Sequence, residues 1–305
     1  GHVDFSAEME RTLQVLDCAV LVISAADGVQ GHTETLWKLL KRYEIPVFIF
    51  VNKMDQDGTD KKAVLGELRE RFGEGCIDFT RILPEAEASP EELENLAVCE
   101  EGMMEEYLET GSIRIDTLRK AAAERKIFPC WFGSALRAEG IEALLDGIVQ
   151  LAPEIHYPEE FGAKVYKIAR DSQGTRLTYL KVTGGCLPVR TAVSYRLPEG
   201  EALEEKVKEI RLYSGSRFEA TAQAPAGSVC AVLGLTRTYP GLRLGAEQDS
   251  VFQPVLEPVM TYRLRLPPGC DPAQMLPKLR QLEEEDPLFR IVWMEELGEL
   301  HAQVM

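Results

Sequence analysis

The chain has 305 residues, 45% hydrophobic and 28% charged, and its 50 Asp and Glu outnumber 34 Lys and Arg to give a net charge of −16. That length predicts two or three domains, and so negative a chain does not bind bare nucleic acid mainly by loose electrostatic attraction. Seven scattered cysteines without a CxxC pair argue against a disulfide framework or a zinc ribbon. No apolar run reaches the roughly 20 residues of a membrane span. We expect a cytoplasmic protein with reduced thiols that binds neither membrane nor DNA.

Residues 1–155 alternate between apolar runs and helical patterns. The runs CAVLVIS, VFIFV and FPCWF are typical of strands buried on both faces. Between them, apolar residues at helical spacing predict helices, one of them capped by Thr59. Strands that alternate with helices predict an α/β domain with a parallel sheet over residues 1–155. The predicted helices cover residues 6–16, 33–43, 59–72 and 139–151, and a further helical stretch includes Leu93, Met104 and Leu108.

The pattern changes after Ala163 to short strands of alternating polarity separated by glycine turns. This predicts a β-barrel or a β-sandwich over residues 160–254, followed by a linker marked by Pro254 and Pro258. Residues 1–155 hold 16 basic and 30 acidic residues, whereas residues 156–255 hold 13 and 11. The barrel segment is therefore the part least repelled by a phosphate backbone, although an ordinary surface difference explains the counts equally well.

The last segment, 258–305, has the order strand, helix, strand, strand. This is the beginning of a ferredoxin-like α+β domain, and it leaves the sheet incomplete. Its exposed edges predict either mobility or packing against the barrel, and the acidic run Glu283–Asp286 is interpreted as a solvated helix end. Because the motif GxxxxGK[ST] is also absent, we expect the chain to be a fragment truncated at both ends.

Asn52, Lys53 and Asp55 form the sharpest motif, directly after the VFIFV strand. Ligands of open α/β sheets bind at the carboxyl ends of the strands. A carboxylate such as Asp55 accepts from both N1–H and the exocyclic amine of guanine, a donor pair that adenine lacks. Asn52 can donate to the base edge or tie loops together, and the Lys53 stem can lie along the base. The alternative is an ordinary polar turn at a strand end.

Two further turns are better supported as binding elements when they are considered together with this motif. Gly133, Ser134 and Ala135 follow the FPCWF strand, where small residues let backbone amides approach a base carbonyl. Gly1 and His2 open the chain before a helix, where a glycine amide can meet a phosphate and a histidine can orient a water. In isolation, a terminal Gly-His is more often a cloning remnant.

Together these segments resemble the nucleotide-binding motifs that follow the phosphate loop along the chain of translational GTPases. GHVDF, ISAADGVQ, FVNKMDQDG and FGSA carry the resemblance, which is closest to ribosomal-protection (tetracycline-resistance) proteins and elongation factor G. KVTGGCLPVRTAV and AGSVCAVLGL are similar to the second domain of these proteins, and LRQLEEEDPLFRI with GELHAQVM to the third. Asp55 and Ser134 are 79 positions apart, a short separation for elongation factor G, which has an inserted subdomain there, and this favours the ribosomal-protection branch.

The resemblance implies a partial P-loop GTPase domain, a translation-factor β-barrel and an incomplete third domain. It further implies a monomer that binds GTP/GDP, with Mg²⁺ in the intact protein, and that docks on the RNA and proteins of the ribosome through a barrel that contacts small-subunit RNA. Gly1 would contact the γ-phosphate, His2 would position the attacking water, and no residue here would bind metal. The residues implied to hold the guanine base are Asn52, Lys53, Asp55, Ser134 and Ala135.

The chain departs from the family pattern in several places. The Asp-Thr-Pro that precedes Gly1 in the family, the phosphate loop, the first switch and domains four and five are absent, and Arg190 replaces a glycine expected in a tight turn. Phosphoryl transfer needs a phosphate cradle, Mg²⁺ and a positioned water. We therefore expect the intact protein to hydrolyse GTP on the ribosome and this fragment alone to be inactive.

Three alternatives remain at this point. One is an elongation factor G paralogue, and another is a non-catalytic ribosome-associated binding module that has lost its phosphate loop. A dinucleotide-dependent oxidoreductase has little support, because no GxGxxG follows a predicted strand.

Overall fold

A computed structural model describes residues 6–83, 88–197, 200–246, 260–286 and 288–304. The chain forms two compact units, one of which contains Leu16–Ile155. The other contains residues 6–15 together with the described residues from His156 onward. The first described element, α1 (Ser6–Leu13), belongs to this second unit.

The first unit is built around a four-stranded sheet in the order β1-β2-β4-β3, with every pair parallel. This confirms the predicted α/β domain with a parallel sheet. Its elements are β1 (Ala19–Ser24), α2 (Gly31–Arg42), β2 (Val47–Asn52), α3 (Lys61–Phe72), β3 (Cys76–Asp78), α4 (Pro90–Ala97), α5 (Glu101–Thr110), α6 (Ile115–Ala123), β4 (Phe128–Phe132) and α7 (Ile141–Leu151).

Both faces of this sheet are covered by helices. On one face Phe48, Phe50 and Trp131 are almost fully buried, and on the other Trp37 stacks on Phe72 with ring centroids 4.3 Å apart. Burial on both faces explains why β2 and β4 are continuous apolar runs instead of alternating ones.

The local differences from the predicted elements have physical causes. Asp60 caps α3, its side chain accepting from the Lys62 amide, whereas the hydroxyl of Thr59 donates to the carbonyls of Met54 and Gln56. The predicted helical stretch through Leu93, Met104 and Leu108 is two helices, because a capping box at Ser89, a cap at Glu100 and a left-handed Gly111 set their ends. The helix α6 went unpredicted. The strand β3 went unpredicted, since three residues are too few to show a period.

The β-rich part of the second unit consists of three antiparallel sheets with one shared core. The main sheet has the order β11-β10-β13-β6-β5-β14, and β12-β7 and β8-β9 form two-stranded sheets. Val165, Leu180, Leu187, Tyr195 and Val232, from all three sheets, are buried in one cluster. The strands are β5 (Gly162–Arg170), β6 (Arg176–Gly184), β7 (Cys186–Pro188), β8 (Ala192–Arg196), β9 (Ala202–Lys206), β10 (Glu209–Ser214), β11 (Arg217–Thr221), β12 (Gln223–Pro225), β13 (Val229–Leu233) and β14 (Arg243–Gly245).

The turn at Arg190 forms despite the missing glycine. Arg190 adopts φ +70°, a left-handed conformation that costs a residue with a Cβ about 1–2 kcal/mol. Its amide donates to the carbonyl of Val207 at 2.8 Å. The tight turn is therefore present and carries backbone strain.

The C-terminal segment has the predicted order of strand, helix, strand, strand. Its elements are β15 (Met260–Arg263), α8 (Pro272–Glu285), β16 (Arg290–Met294) and β17 (Glu299–Val304), and the antiparallel sheet has the order β15-β17-β16. The division into domains at 155–160 and 254–258 stays a prediction, and Pro254 and Pro258 lie outside the described residues.

The acidic run at the end of α8 is not simply solvated. Glu284 pairs with Arg170 on β5 at 3.3 Å and with Arg176 on β6 at 3.2 Å. Arg11 on α1 donates to the Glu285 carbonyl at 2.6 Å and pairs with Asp286 at 3.3 Å. We call these contacts the α8 ion-pair cluster. They show α8 packed against β5 and α1 within the second unit.

All seven cysteines lie in the part of the chain that the structure describes, and all are free. Cys76, Cys130 and Cys230 are buried, and Cys270 is exposed. No described helix combines the length and the apolar character needed to cross a membrane.

Candidate nucleotide-binding site

The two predicted motif loops lie side by side because their strands are neighbours. In the parallel pair of β2 and β4, Val51 is in register with Phe132. Beyond the strands the Gly133 amide donates to the Val51 carbonyl at 3.0 Å, and the Met54 amide donates to the Gly133 carbonyl at 3.0 Å. The sheet therefore brings residues 52–55 and 133–135 together at its carboxyl edge.

Asn52 connects these loops through its side-chain oxygen. Oδ1 accepts from the Lys53 amide at 2.8 Å and from the Ala135 amide at 2.9 Å. The Asn52 carbonyl also accepts from Ala25, in the turn after β1, at 2.8 Å. Of the two roles predicted for this side chain, the structure shows the loop tie, and a base carbonyl would compete with Oδ1 for the Ala135 amide.

Lys53 occupies a left-handed backbone conformation, with φ +64°, which turns the chain sharply after β2. Its Nζ lies 4.0 Å from Oδ2 of Asp27, and both side chains are about half exposed. The turn that carries Asp27 is held in place by Glu67, whose Oε1 accepts from the Val29 amide at 3.0 Å. Asp27 therefore places a carboxylate near the exposed Lys53 head, as a weak surface ion pair.

Asp55 faces the second loop. A hydrogen bond from the Ser134 side chain is the main reason that the pKa of the Asp55 carboxyl lies below its ordinary value of 3.8; partial burial opposes this, while its own backbone amide and the Arg137 charge add to it. Arg137 Nε lies 3.5 Å from Asp55 Oδ2, and the Asp55 side chain is only 15% exposed. Near neutral pH this carboxylate is ionised and acts purely as a hydrogen-bond acceptor.

The loop after β4 is a tight turn closed on itself. Ser134 donates its amide to the Glu139 carbonyl at 3.1 Å, and Glu139 returns a bond to the Ser134 carbonyl at 3.0 Å. A Cβ on Gly133 would lie 2.0 Å from the Glu139 carbonyl oxygen. A glycine is therefore required before this turn, which places the buried Ser134 against Asp55.

Not every predicted site residue can be placed. Gly1 and His2 lie outside the described residues, so the γ-phosphate and water-positioning hypotheses stay predictions. Asp27 and Arg137 were missed by the sequence analysis. In the sequence, each is a residue in a turn after a strand whose charge is opposite to that of a motif residue. This becomes informative only when the strand order is known.

Two other features of the first unit do not form part of this site. Within the described residues no group of three or more His, Cys, Asp or Glu side chains is placed to hold a metal ion. A groove of about 820 Å³ lies between α5 and α6, and most of its ionisable side chains are carboxylates, which repel a phosphate. These carboxylates belong to Glu100, Glu105, Glu106, Glu109, Asp116 and Glu124.

An open parallel sheet whose strand ends carry Asn52, Lys53 and Asp55 beside a Gly-Ser-Ala turn is an α/β architecture with polar loops at the edge where such sheets bind ligands. The chain belongs to the family of the elongation factor Tu GTP binding domain, which it matches over residues 1–154. The predicted membership among translational GTPases is thus confirmed.

Two similar proteins align with the whole chain. Elongation factor G 2 of Syntrophus aciditrophicus (strain SB) is 28% identical over 381 aligned positions, covering 100% of this chain and 56% of that protein. The crystal structure of ttk003000868 from Thermus thermophilus is 25% identical with a TM-score of 0.78, covering 100% of this chain and 52% of that one. The chain therefore spans about half the length of the relatives it matches.

Proposed function

We propose that this chain provides the guanine-recognising part of a translational GTPase that acts on the ribosome. The observation that carries the proposal is the juxtaposition of the ionised Asp55 carboxylate with the Ser134–Ala135 turn. Guanine offers this carboxylate two parallel donors, N1–H and the 2-amino group, and charge-assisted pairs of this kind are strong and specific. The Lys53 stem would lie along the base, and Ser134 and Ala135 would close over it.

GTP hydrolysis belongs to the intact protein in this proposal. The family implies GTP/GDP as ligand and Mg²⁺ as the ion that neutralises phosphate charge. His2 would position the water, and Gly1 would contact the γ-phosphate. The motif GxxxxGK[ST] occurs nowhere in the 305 residues, so we propose that the chain as it stands does not hydrolyse GTP. Release of inorganic phosphate from GTP by this chain alone would contradict that.

The partner proposed is the ribosome, reached by a monomer in the cytoplasm. The near-neutral β-rich segment, with 13 basic and 11 acidic residues over 156–255, is the surface we propose for ribosomal RNA. Residues 1–155, with 16 basic and 30 acidic residues, are poorly suited to that contact.

Within this class we propose ribosomal protection against tetracycline, with an elongation factor G paralogue as the alternative. The alignment with Elongation factor G 2 is 381 positions long against 305 residues here, so that relative contains segments that this chain lacks. The short separation of Asp55 and Ser134 along the sequence also supports ribosomal protection. A tetracycline-sensitive translation assay distinguishes the two, because only a protection protein restores synthesis in the presence of the drug.

Base recognition is tested by Asp55→Asn in the intact protein. An amide donates where the carboxylate accepted, so we expect GDP affinity to fall roughly 10- to 100-fold for each hydrogen bond lost and xanthosine diphosphate, with its 2-oxo group, to bind better. Asp57→Asn is the matched control, because Asp57 is an exposed carboxylate in the same loop. Equal GDP affinity in both variants would refute the proposed base contact.

A further inference from the structure

Arg137 pairs with Oδ2 of Asp55 at the surface of the candidate site. Its Nε lies 3.5 Å from Asp55 Oδ2, and its side chain is 58% exposed, against 15% for Asp55. The separation is that of an ion pair and is long for a good hydrogen bond. Such a contact is weak and easily exchanged.

The backbone around Arg137 is fixed although its side chain is exposed. The Arg137 amide donates to the Ser134 carbonyl at 3.2 Å, and the next residue, Ala138, has φ +57°. Ser134 and Glu139 close the same turn with two hydrogen bonds. The turn that supplies Ser134 to Asp55 therefore also delivers a guanidinium to that carboxylate.

A guanidinium and the recognition edge of guanine are chemically alike. The N1–C2–N2 fragment of guanine is itself a guanidine, and both groups present a planar pair of N–H donors to a carboxylate. Ser134 and the Asp55 backbone amide also hydrogen-bond this carboxylate. Because a base that binds Asp55 needs the oxygen that Arg137 pairs with, the base and Arg137 compete for Oδ2.

We propose that Arg137 is a specificity-determining residue that occupies Oδ2 of Asp55 as an internal substitute for the 2-amino group of guanine. The inference rests on the proposed guanine site and deepens it. A base with one matching donor, such as hypoxanthine, bonds the other carboxylate oxygen and leaves Arg137 in place. Guanine needs both oxygens and displaces it.

The test is Arg137→Ala in the intact protein, with GDP and inosine diphosphate as the two probes. Because an exposed ion pair is weak, we expect the GDP dissociation constant to fall by about 2- to 5-fold, while that for inosine diphosphate stays unchanged. Stopped-flow kinetics with a fluorescent GDP should show faster association at an unchanged dissociation rate, since the variant site is vacant beforehand. Arg137→Lys, which keeps the charge but loses the planar fork, should be intermediate.

The control is Arg114→Ala. Arg114 is 77% exposed and pairs with Glu106, which is 14% exposed, so it matches the Arg137 pair in burial but lies in the loop before α6. It should change neither affinity. Melting curves of each variant show whether it is folded.

Two results would overturn the inference: a GDP affinity that is unchanged or weakened in Arg137→Ala, or an equal change for both nucleotides. Wild-type protein that binds no GDP would refute the proposed guanine site itself, and this inference with it. Wild-type binding combined with an unresponsive Arg137→Ala would refute the role of Arg137 alone.

Discussion

The amide of Ala135 donates a hydrogen bond of 2.9 Å to Oδ1 of Asn52, joining residues 83 positions apart in the chain. The same oxygen accepts from Lys53 at 2.8 Å, so one side chain satisfies two amides at the carboxyl edge of the sheet. Its position beside the left-handed Lys53 backbone stabilises a conformation that would otherwise be unfavourable.

We expect Asn52→Ala to lower the unfolding free energy of the first unit by about 1–2 kcal/mol, because two amides lose their acceptor. Urea denaturation followed by tryptophan fluorescence measures this, since Trp131 lies in the buried core. Asn95→Ala, at an exposed position on α4, should be close to neutral. Similar losses in both variants would show that the loop tie contributes no stability.

Ser134→Ala should raise the pKa of Asp55 toward 3.8, because the Ser134 hydrogen bond is the main cause of its depression. A depressed pKa stabilises the folded state above the unfolded pKa, and that contribution disappears as pH falls through the folded value. The wild type should therefore be more stable than the variant at neutral pH, with the gap closing below about pH 4.

The Asp55 titration can be followed directly by carboxyl carbon NMR. Ser112→Ala removes a hydroxyl from an exposed loop position and should leave the Asp55 titration unchanged. A stability difference between wild type and Ser134→Ala that stays constant down to pH 2 would contradict the proposed linkage.

Replacing two glycines inside helices by alanine should change the stability of the first unit in opposite directions. A Cβ on Gly66 of α3 would meet no atom within 4 Å, whereas a Cβ on Gly147 of α7 would lie 2.1 Å from the Trp131 ring. Gly66→Ala should stabilise by about 1 kcal/mol through helix propensity. Gly147→Ala should destabilise by about 1–3 kcal/mol through overpacking. Changes of the same sign in thermal melts would contradict the packing around Trp131.

Arg190→Gly should stabilise the β-rich part of the second unit by about 1 kcal/mol, because glycine relieves the strain at φ +70° and loses part of this gain to its freer unfolded state. Arg190→Ala keeps a Cβ and should show no such gain. Equal melting temperatures for the two variants would locate the effect in the arginine side chain instead of the backbone.

The sheet and its motif loops could be predicted because burial on both faces leaves a clear trace in composition. VFIFV and FPCWF are continuous apolar runs, and both are fully enclosed strands in the structure. The Asn52–Asp55 motif was recognisable since its side chains must match a base edge. Its proximity to Ser134 followed once both strands were assigned to one parallel sheet.

The rest depended on contacts between residues far apart in the chain. Arg137 could be recognised as a partner of Asp55 only when β2 and β4 were known to be neighbours. Likewise, the acidic run at the end of α8 looked solvated because Arg11, Arg170 and Arg176 are more than 100 positions away from it in sequence. Neither periodicity nor local charge reports such pairs.

The exposure of Cys270 has a practical consequence for studying the α8 ion-pair cluster. Cys270 is followed by Asp271, the N-cap of α8, at the opposite end of that helix from the cluster. Of the other cysteines, Cys76, Cys130 and Cys230 are buried, and Cys18, Cys99 and Cys186 are half-buried. A maleimide dye added briefly at low excess will therefore modify Cys270 first. Single-molecule fluorescence from that dye would then record how tightly α8 is held as potassium chloride is varied, without any engineered cysteine.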